Sequence, residues 1–281
     1  MIAGFSIIVT NYNKAQYIEE ALFSVLNQNT NDFEILLYDD CSTDNSKEII
    51  ERSLSFSNKI HFFKNDVNRG ANYLRNKGIF EAKYDHIIFL DADDLLGANC
   101  INSRVEFIQK NDEFDMWVFP MFSFKKNISN IISTWIPPTD NLLERFLTHR
   151  LPWTISQVVW STEFLRKING FDLNFKRFQD VELHTKALLN KAKVMISRTS
   201  PDCYYRVDED RIINYETHFK NFASGAIMYF EKFYTSVKQN KLLFVTLLYS
   251  IDSISYALRS NKLSLQFCNQ TVDRILNESY T

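Results

Sequence analysis

Short apolar runs alternate with amphipathic segments along the first two thirds of the chain. Runs such as Phe5–Val9 are typical of buried strands, whereas the segment Ile18–Val25 repeats its apolar residues at helical spacing. The predicted strands are Phe5–Val9, Glu34–Asp39, Ile60–Phe63, His86–Leu90, Met116–Phe124, Ile128–Trp135 and two short runs near Val194 and Tyr204. The predicted helices contain Ile18–Val25, Ile49–Ile50, Asn72–Ala82 and Val181–Leu189. This alternation predicts an α/β fold, in which a mainly parallel sheet is flanked by helices and binds its ligand at the strand ends.

The pattern becomes helical from about Tyr215 onward. Aromatic and small residues recur as a stripe from Phe219 to Phe233, and a densely apolar stretch follows at Leu242–Leu258. The stripe lacks a strongly cationic opposite face, which favours packing onto the main domain or a second copy over a position on a membrane surface. We therefore predict an α/β domain over residues 1–210 and a C-terminal helical region over residues 211–281.

Composition limits the class of protein. Hydrophobic residues make up 45% of the 281 residues, enough for a sizeable core, and the net charge of −2 argues against a nucleic-acid-binding protein. The four cysteines form no Cys-x-x-Cys pair, which is typical of a reduced, cytosolic protein. The strand at Phe5 leaves no room for a signal peptide, and Asp252 interrupts the best candidate for a membrane span. These features predict a cytoplasmic location.

Several catalytic motifs are missing from the sequence. The six glycines never lie within two residues of one another, which excludes a G-x-G-x-x-G dinucleotide loop and a Walker phosphate loop. Neither a G-x-S-x-G motif nor a pair of histidines at H-x-x-x-H spacing occurs. A serine hydrolase and a zincin-type site are therefore not expected.

Three carboxylates follow the predicted strand His86–Leu90 within four residues. Asp91, Asp93 and Asp94 lie at its carboxyl end, where α/β sheets place their ligands. Negative side chains this close repel one another unless a cation lies among them, and Mg²⁺ or Mn²⁺ that also binds phosphates suits such oxygen ligands. The alternative is a polar turn that caps the next helix. A site for metal and diphosphate is favoured because the other strand ends are polar as well.

Polar residues also follow the first two strands. After the first, Tyr12 can stack on a base, and Asn13 can bond to the base or cap the next helix. After the second, the segment Asp39–Asp44 offers carboxylates that can accept a hydrogen bond from a base. Arg75, on the helix before the fourth strand, can add positive charge near phosphates. Three consecutive sites at one sheet edge suit the base, ribose and diphosphate of a nucleotide in that order.

With these motifs the chain resembles the family 2 glycosyltransferases, which have the GT-A fold. The match is most specific from Phe5 to Leu95 and ends at about Arg211. The residues that carry it are Ser6–Asn13, Tyr17–Gln28, Tyr38–Asp44, Arg75–Ile79, Phe89–Asp94, Gly170–Asp172 and Gln179–Leu183. The resemblance implies that residues 1–95 bind a nucleotide sugar and that residues 96–210 form the acceptor side.

The resemblance also implies the roles of individual donor-side residues. Thr10, Tyr12 and Asp40 match the positions that hold the nucleotide base, with Asp40 reading its edge. Asp91 and Asp93 match the D-x-D motif, in which Asp93 is the closer metal ligand and Asp91 reaches the ribose or, through water, the metal. The implied cofactor is Mn²⁺ or Mg²⁺.

Further implied roles lie closer to the reacting sugar. Asp94 matches an acid found near the donor sugar, and Asp180 matches the carboxylate that deprotonates the acceptor hydroxyl. Because Asp180 precedes a predicted helix, a capping role is the alternative. Three residues depart from the family pattern: Gln179 replaces the usual Glu, Asp208 stands where many relatives have His, and Cys41 replaces a common Gly. The change at Cys41 is mild if its backbone angle φ stays negative.

The implied activity is an inverting, metal-dependent transfer from a nucleotide-diphosphate sugar, expected to be a UDP-sugar, to a glycan or lipid-linked acceptor of a cell-surface polysaccharide. Peripheral association with the inner face of the membrane, or a homodimer, would use the C-terminal helices. Two alternatives remain open. One is a non-catalytic nucleotide-sugar or glycan-binding protein, and the other is a sugar nucleotidyltransferase, which normally has a glycine-rich loop after its first strand.

Overall fold

The computed structural model describes residues 4–207 and 215–237, which belong to two compact units. In this part of the chain, the first unit comprises residues 4–139, 153–171 and 190–207, and the second comprises residues 140–152, 172–189 and 215–237. The second unit therefore combines the described part of the predicted C-terminal helical region with two segments of the predicted acceptor side.

The first unit contains the strands, and the second is helical. The described strands are β1 Phe5–Asn11, β2 Phe33–Asp39, β3 Ile60–Lys64, β4 His86–Asp91, β5 Leu95–Leu96, β6 Met116–Val118, β7 Met121–Phe124, β8 Ile131–Trp135, β9 Val158–Ser161, β10 Val194–Ile196 and β11 Cys203–Arg206. The helices of the first unit are α1 Ile18–Leu26, α2 Ser46–Leu54, α3 Ala71–Glu81, α4 Cys100–Gln109 and α6 Thr162–Lys167, with a 3₁₀ turn at Ile155–Gln157. The helices of the second unit are α5 Leu142–Leu147, α7 Gln179–Leu189 and α8 Tyr215–Val237.

A seven-stranded sheet with the order β10-β6-β9-β4-β1-β2-β3 forms the centre of the first unit. Its neighbouring strands are parallel except at β9, which runs antiparallel to both β4 and β6. The apolar runs of β1, β2 and β4 are buried almost without alternation, as expected for parallel strands covered on both faces. The predicted α/β fold with a mainly parallel sheet is confirmed.

Helix α1 shows how the spacing of apolar residues fixes a helix in the core. Ile18, Ala21, Leu22 and Val25 recur at intervals of three and four residues, and all four are buried. The polar residues Glu19 and Glu20 lie on the opposite side, at the start of the helix. The predicted helical spacing therefore gives the buried stripe that fixes this helix in the core.

One predicted strand is divided between two sheets. The run Met116–Phe124 forms β6 in the seven-stranded sheet and β7 in a second, four-stranded sheet with the order β5-β11-β7-β8. The break includes Pro120, which has no backbone N–H to donate to a strand partner. Strands β7 and β8 pair antiparallel as a hairpin. The fully buried strand residues Val158–Trp160 were missed because so short an apolar run has no distinctive period.

The turn after β2 differs from expectation. Cys41 has a φ of +64°, so the condition under which its replacement of Gly would be mild is not met. The turn requires the left-handed conformation that favours glycine, and Cys41 adopts it despite its Cβ atom. Shortly after this turn, the Asp44 carboxylate accepts a hydrogen bond from the backbone N–H of Ser46, the first residue of α2, at 3.0 Å.

Aromatic residues pack the second unit. Tyr229 of α8 is hydrogen-bonded to Thr185 of α7 at 2.5 Å between their hydroxyl oxygens, and its ring contacts His149 and Phe178. Phe230 and Phe233 are also buried, so part of the predicted aromatic stripe packs within this unit. The side chain of Phe219 and the apolar stretch 242–258 lie outside the described residues.

A buried carboxylate links α7 to α8 in the second unit. Glu182 is fully buried, and its Oε1 lies 2.8 Å from Lys232 Nζ and 3.4 Å from Lys186 Nζ. Lys232 also forms an ion pair with Asp172 at 2.5 Å. The two lysines offset the buried negative charge, which would otherwise strongly destabilise the fold.

Candidate active site

The polar ends of β4, β1 and β2 meet at one edge of the seven-stranded sheet. In the parallel register, Thr10 lies opposite Asp91 on one side and opposite Tyr38 on the other, and Asn11 lies opposite Asp39. The sheet therefore brings together the three polar segments that the sequence predicted at this edge. Because the strands are parallel, the segments after β1, β2 and β4 all leave the sheet on the same side.

The turns after β1 and β2 are joined by hydrogen bonds. The side chain of Asn11 donates to Asp39 at 2.7 Å and to Ser42 at 3.1 Å. Asn13 adopts a left-handed φ of +52°, and its side-chain oxygen accepts from the backbone N–H of Thr43 at 2.8 Å. The Asn13 side chain thus cross-links the two turns, and no side-chain hydrogen bond caps α1. The predicted bond from Asn13 to a base remains a prediction.

Two predicted base-binding residues flank this cross-link. Tyr12 is 49% exposed, so a face of its ring is open to a planar ligand. Thr10 is partly buried near the end of β1. Their placement at the sheet edge suits the predicted contact with a base, and the contact itself remains a prediction.

Asp40 is buried beside this edge and is already hydrogen-bonded on both oxygens. Its Oδ1 accepts from Asn65 Nδ2 at 3.0 Å and from the backbone N–H of Arg69 at 2.9 Å. Its Oδ2 accepts from the backbone N–H of Gly70 at 2.7 Å. A carboxylate has about four acceptor positions, so these bonds leave about one for a ligand. Asp40 therefore fixes the loop before α3 in addition to any contact with a base.

The first two acids of the cluster each pair with a cation. Asp91 Oδ1 lies 2.7 Å from Arg75 Nη2, and Asp93 Oδ2 lies 2.5 Å from Lys14 Nζ. Arg75 was predicted to add positive charge here, whereas Lys14 was missed because 79 residues separate it from Asp93. Both carboxylates remain partly exposed, at 37% for Asp91 and 22% for Asp93.

The third acid of the cluster is enclosed. Asp94 is 2% exposed and accepts from the backbone N–H of Arg206 and from the Ser156 hydroxyl, both at 3.0 Å. Burial raises the pKa of Asp94 well above its usual range, and the nearby charges of Asp91 and Asp93 raise it further. The structure therefore gives Asp94 a supporting position, and a direct contact with the donor sugar remains a prediction.

Arg206 is hydrogen-bonded to the acidic turn, Asp91–Asp94. Its Nε donates to the carbonyl oxygen of Asp93 at 2.9 Å, its Nη1 donates to the carbonyl oxygen of Lys126 at 2.8 Å, and its Nη2 pairs with Glu20. The guanidinium also lies 4.7 Å from the ring centroid of Tyr17. Sequence reasoning gave Arg206 no role, because 113 residues separate it from Asp93. The predicted departure at Asp208 lies outside the described residues.

The acidic turn provides carboxylate oxygens that suit a divalent ion whose other ligands come from a phosphate. Within residues 4–207 and 215–237, no three His, Cys, Asp or Glu side chains surround one point as a complete metal site. Asp91 and Asp93 nevertheless provide two partly exposed carboxylates, the number that typically holds Mg²⁺ together with substrate phosphates. The raised pKa of Asp94 also reflects the concentration of negative charge at this turn.

The predicted catalytic carboxylate, Asp180, lies in the second unit at the start of α7. Its Oδ1 accepts from the backbone N–H of Val181 at 3.0 Å, which is consistent with the alternative of a helix-terminal role. The preceding Phe178 has a left-handed φ of +59°, a conformation that bulky residues rarely adopt. Such backbone strain is common at functional sites.

A cavity of about 270 Å³ opens beside the start of α7. Asp180 and Gln179 line it together with the cationic residues Lys176 and Arg177 and the ring of Phe222. A cavity with a carboxylate, two cations and an aromatic face can bind a polar ligand with a ring. The second unit thus holds the predicted acceptor-side carboxylate beside a cavity of its own.

No membrane-spanning segment is found in the part of the chain that the structure describes. None of the helices there is both long enough and apolar enough to cross a membrane.

The family can be decided by comparison with known proteins. The family model described as glycosyl transferase family 2 matches residues 6–168, more than half of the chain. The chain belongs to glycosyl transferase family 2. This membership confirms the predicted family. The matched residues include the polar ends of β1, β2 and β4, and they stop before Asp180.

Individual relatives agree with the family assignment. The teichoic acid poly(glycerol phosphate) polymerase of Staphylococcus epidermidis is 34% identical over 120 residues, which are 42% of this chain and 16% of that protein. The matched segments span between 16% and 42% of the length of four curated relatives. The chain therefore matches less than half of each of these proteins.

Solved structures confirm the GT-A fold. TarS 1-349 of S. aureus in complex with UDP-GlcNAc superposes with a TM-score of 0.64 at 19% identity, covering 91% of this chain and 73% of TarS 1-349. The mannosyltransferase PcManGT of Pyrobaculum calidifontis in complex with GDP-Man and Mn²⁺ superposes with a TM-score of 0.58 at 18% identity, covering 99% of this chain and 81% of the other. At these identities the likeness concerns the fold alone.

Proposed function

We propose that the protein is an inverting, metal-dependent glycosyltransferase that moves a sugar from a UDP-sugar to a glycan or lipid-linked acceptor of a cell-surface polysaccharide. The observation that carries the proposal is the meeting of three polar strand ends at β4, β1 and β2. They supply an exposed ring, a buried carboxylate and an acidic turn along one sheet edge. Two proteins of the same fold are solved with UDP-GlcNAc and with GDP-Man and Mn²⁺, which supports this class of donor.

The base of the donor is assigned to the ends of β1 and β2. The exposed ring of Tyr12 stacks on the base, and Thr10 contacts it from the strand end. Asp40 uses its remaining acceptor position for an N–H group at the base edge, while its other bonds keep it in place. Asn13 contributes mainly by holding the two turns together.

The diphosphate is assigned to the acidic turn. Asp93 and Asp91 would hold Mn²⁺ or Mg²⁺, with Asp93 as the closer ligand, and a bound ion would neutralise charge that builds up on the leaving nucleoside diphosphate. Arg75 orients Asp91 and adds positive charge at the same turn. Asp94 keeps the turn in shape through its bonds to Arg206 and Ser156, directly beside the donor sugar.

Asp180 is assigned as the general base. Its carboxylate takes the proton of the acceptor hydroxyl, while the acceptor oxygen forms a bond to the anomeric carbon and the bond to the diphosphate oxygen breaks. The electron pair of the broken bond stays on the nucleoside diphosphate. Attack opposite the leaving group inverts the anomeric configuration. Gln179, which stands where the family pattern has Glu, is neutral, so no carboxylate directly precedes Asp180 in the sequence.

The cellular setting follows from the proposed acceptor. A lipid-linked acceptor would draw the enzyme to the cytoplasmic face of the membrane, with peripheral contact or dimerisation through residues 211–281. The protein is proposed to bind no nucleic acid, in line with its net charge of −2.

The proposal is tested by a thermal-shift panel of UDP-, GDP- and dTDP-sugars, each with Mn²⁺ and with EDTA. A bound ligand raises the apparent stability by mass action, so UDP-sugars with Mn²⁺ should give the largest shift. The sugar so identified is then offered with candidate acceptors, and NMR of the product gives the anomeric configuration. A preference for GDP-sugars would overturn the UDP assignment, and retention of configuration would overturn the inverting mechanism.

A further inference from the structure

Lys14 lies at the acidic turn although no motif marks it. Its backbone carbonyl accepts from the N–H groups of Tyr17 and Ile18, both at 2.9 Å, so its main chain forms the turn that leads into α1. Its side chain extends from there to Asp93, with 2.5 Å between Nζ and Oδ2. The backbone and the side chain of Lys14 therefore have separate tasks, and the side chain can be changed without removing the turn.

The other cations at this turn are held in place. The Arg75 side chain is 7% exposed and lies 5.4 Å from the Phe171 ring centroid, and the Arg206 side chain is 3% exposed. The Lys14 ammonium also lies near a ring, 5.7 Å from the Tyr17 centroid, but its side chain is 29% exposed and flexible. Of the three cations, Lys14 is therefore the one that can move when a ligand arrives.

Lys14 and a divalent ion would compete for the same carboxylate. A metal on Asp93 would stand within a few ångströms of the Lys14 ammonium, and like charges at that distance repel strongly in a partly buried site. The diphosphate of a donor offers Lys14 a second anionic partner. The ammonium can then leave Asp93 for a phosphate oxygen and keep its charge compensated.

We propose that Lys14 is a resident cation that neutralises Asp93 in the donor-free enzyme and so makes metal binding depend on the donor. This inference rests on the proposed metal-dependent function and adds a positioning residue to it. By thermodynamic linkage, Mn²⁺ and UDP raise each other's affinity by the same factor, and Lys14 increases that factor.

The test is calorimetric titration of Mn²⁺ into the full chain, with and without saturating UDP. Lys14→Met should bind Mn²⁺ on the order of tenfold tighter than the natural chain without UDP, because the competing charge is gone. The factor by which UDP improves Mn²⁺ binding should shrink correspondingly. Lys14→Arg keeps the charge and should behave like the natural chain.

Controls separate this effect from general electrostatics and from misfolding. Lys47→Met removes an exposed lysine that pairs with Glu51 on α2. Its Mn²⁺ affinities with and without UDP should both equal those of the natural chain. Thermal unfolding without metal shows whether each variant folds, and Lys14→Gln repeats the test with a shorter neutral side chain.

The outcomes are distinct. Unchanged or weaker Mn²⁺ binding by folded Lys14→Met and Lys14→Gln would overturn the role of Lys14 while leaving the metal-dependent transferase in place. Failure of the natural chain to bind Mn²⁺ even with UDP would overturn the metal dependence, and this inference with it.

Discussion

The sheet edge at the ends of β1, β2 and β4, proposed above as the donor-side edge, and the cavity of the second unit are built in different ways. At the edge, Asp40 and Asp94 are buried and bonded to backbone N–H groups, and Asp93 is paired with Lys14. In the second unit, Asp180 is partly exposed at the start of a helix, beside a cavity that also contains Lys176 and Arg177. The comparison indicates a preorganised edge in the first unit and a more open cavity in the second, and in the proposed function these are the donor and acceptor sides.

Replacement of the proposed base should give the largest effect. Asp180→Asn keeps the size and the capping ability of the side chain but cannot accept a proton at neutral pH. We expect the transfer rate to fall by about 10²- to 10⁴-fold, the range for loss of acid–base catalysis, with donor binding unchanged. Steady-state kinetics and calorimetry measure the two effects.

A matched control uses the same exchange elsewhere in the second unit. Asp140 is exposed and pairs with Arg145, so Asp140→Asn should leave the rate unchanged. Full activity of a correctly folded Asp180→Asn protein would leave Asp180 as a helix-terminal residue only.

Arg206 should be the residue on which the preorganised edge depends most. Arg206→Ala leaves the carbonyl groups of Asp93 and Lys126 without this charged donor, which should lower the free energy of unfolding by about 2–4 kcal/mol. The acidic turn should also loosen, so we expect UDP affinity in Mn²⁺ to fall by about tenfold or more. Urea unfolding and calorimetry measure both quantities.

Arg166 provides the comparison for Arg206. It donates to the carbonyl groups of Ile79 and Ala82 at the end of α3, away from the acidic turn. Arg166→Ala should lower stability and leave UDP affinity unchanged. Equal losses of UDP affinity in both variants would show that general destabilisation, rather than the acidic turn, controls donor binding.

Acid should destabilise the second unit through its buried histidines. Burial lowers the pKa of both His149 and His184 to about 3, from about 6.5 in the unfolded chain. The unfolded state therefore takes up more protons, and the stability present above pH 6.5 is lost as the pH falls from 6.5 towards 3. We expect about 1.4 kcal/mol to be lost per histidine at pH 5.5.

Urea unfolding at pH 7.5 and pH 5.5 measures this loss. In His184→Gln the loss of stability between pH 7.5 and pH 5.5 should be smaller by the contribution of one histidine, because glutamine does not titrate. His86 of the first unit has its pKa lowered by burial as well and contributes in the same direction. An identical pH dependence in the natural chain and His184→Gln would show that His184 is not buried in its neutral form.

The turn at Cys41 should give the smallest effect. Its φ of +64° is strained for a residue with a Cβ atom, so Cys41→Gly should raise the free energy of unfolding by about 0.5–1 kcal/mol. Cys41→Ala keeps the Cβ atom and should give no gain. A gain from Ala equal to that from Gly would point to the sulfur atom, which lies 3.3 Å from the carbonyl oxygen of Asp66.

The donor-side edge was largely predictable because its signals are local. Each of β1, β2 and β4 is an apolar run followed at once by polar residues, so the strand and its functional end are read from the same segment. The partners of these residues were not predictable. Lys14 reaches Asp93 across 79 residues, and no local pattern records such a contact.

The second unit was less predictable for a related reason. It combines α5, α7 and α8, which lie in three separate parts of the sequence. The helical pattern of α7 was recognised, whereas the six-residue α5 is too short to show a period. Its place beside α7 depends on contacts such as that of Phe146 with His184, which only the folded chain reveals.

In the proposed function, the acidic turn binds the donor's diphosphate through a divalent ion held by Asp93. Calorimetric titration of UDP into the natural chain and into Asp93→Asn, each in Mn²⁺ and in EDTA, tests it most directly. The natural chain should bind UDP much more tightly in Mn²⁺ than in EDTA, and Asp93→Asn should bind it weakly in both. Equal affinity of the natural chain for UDP in Mn²⁺ and in EDTA would contradict the claim.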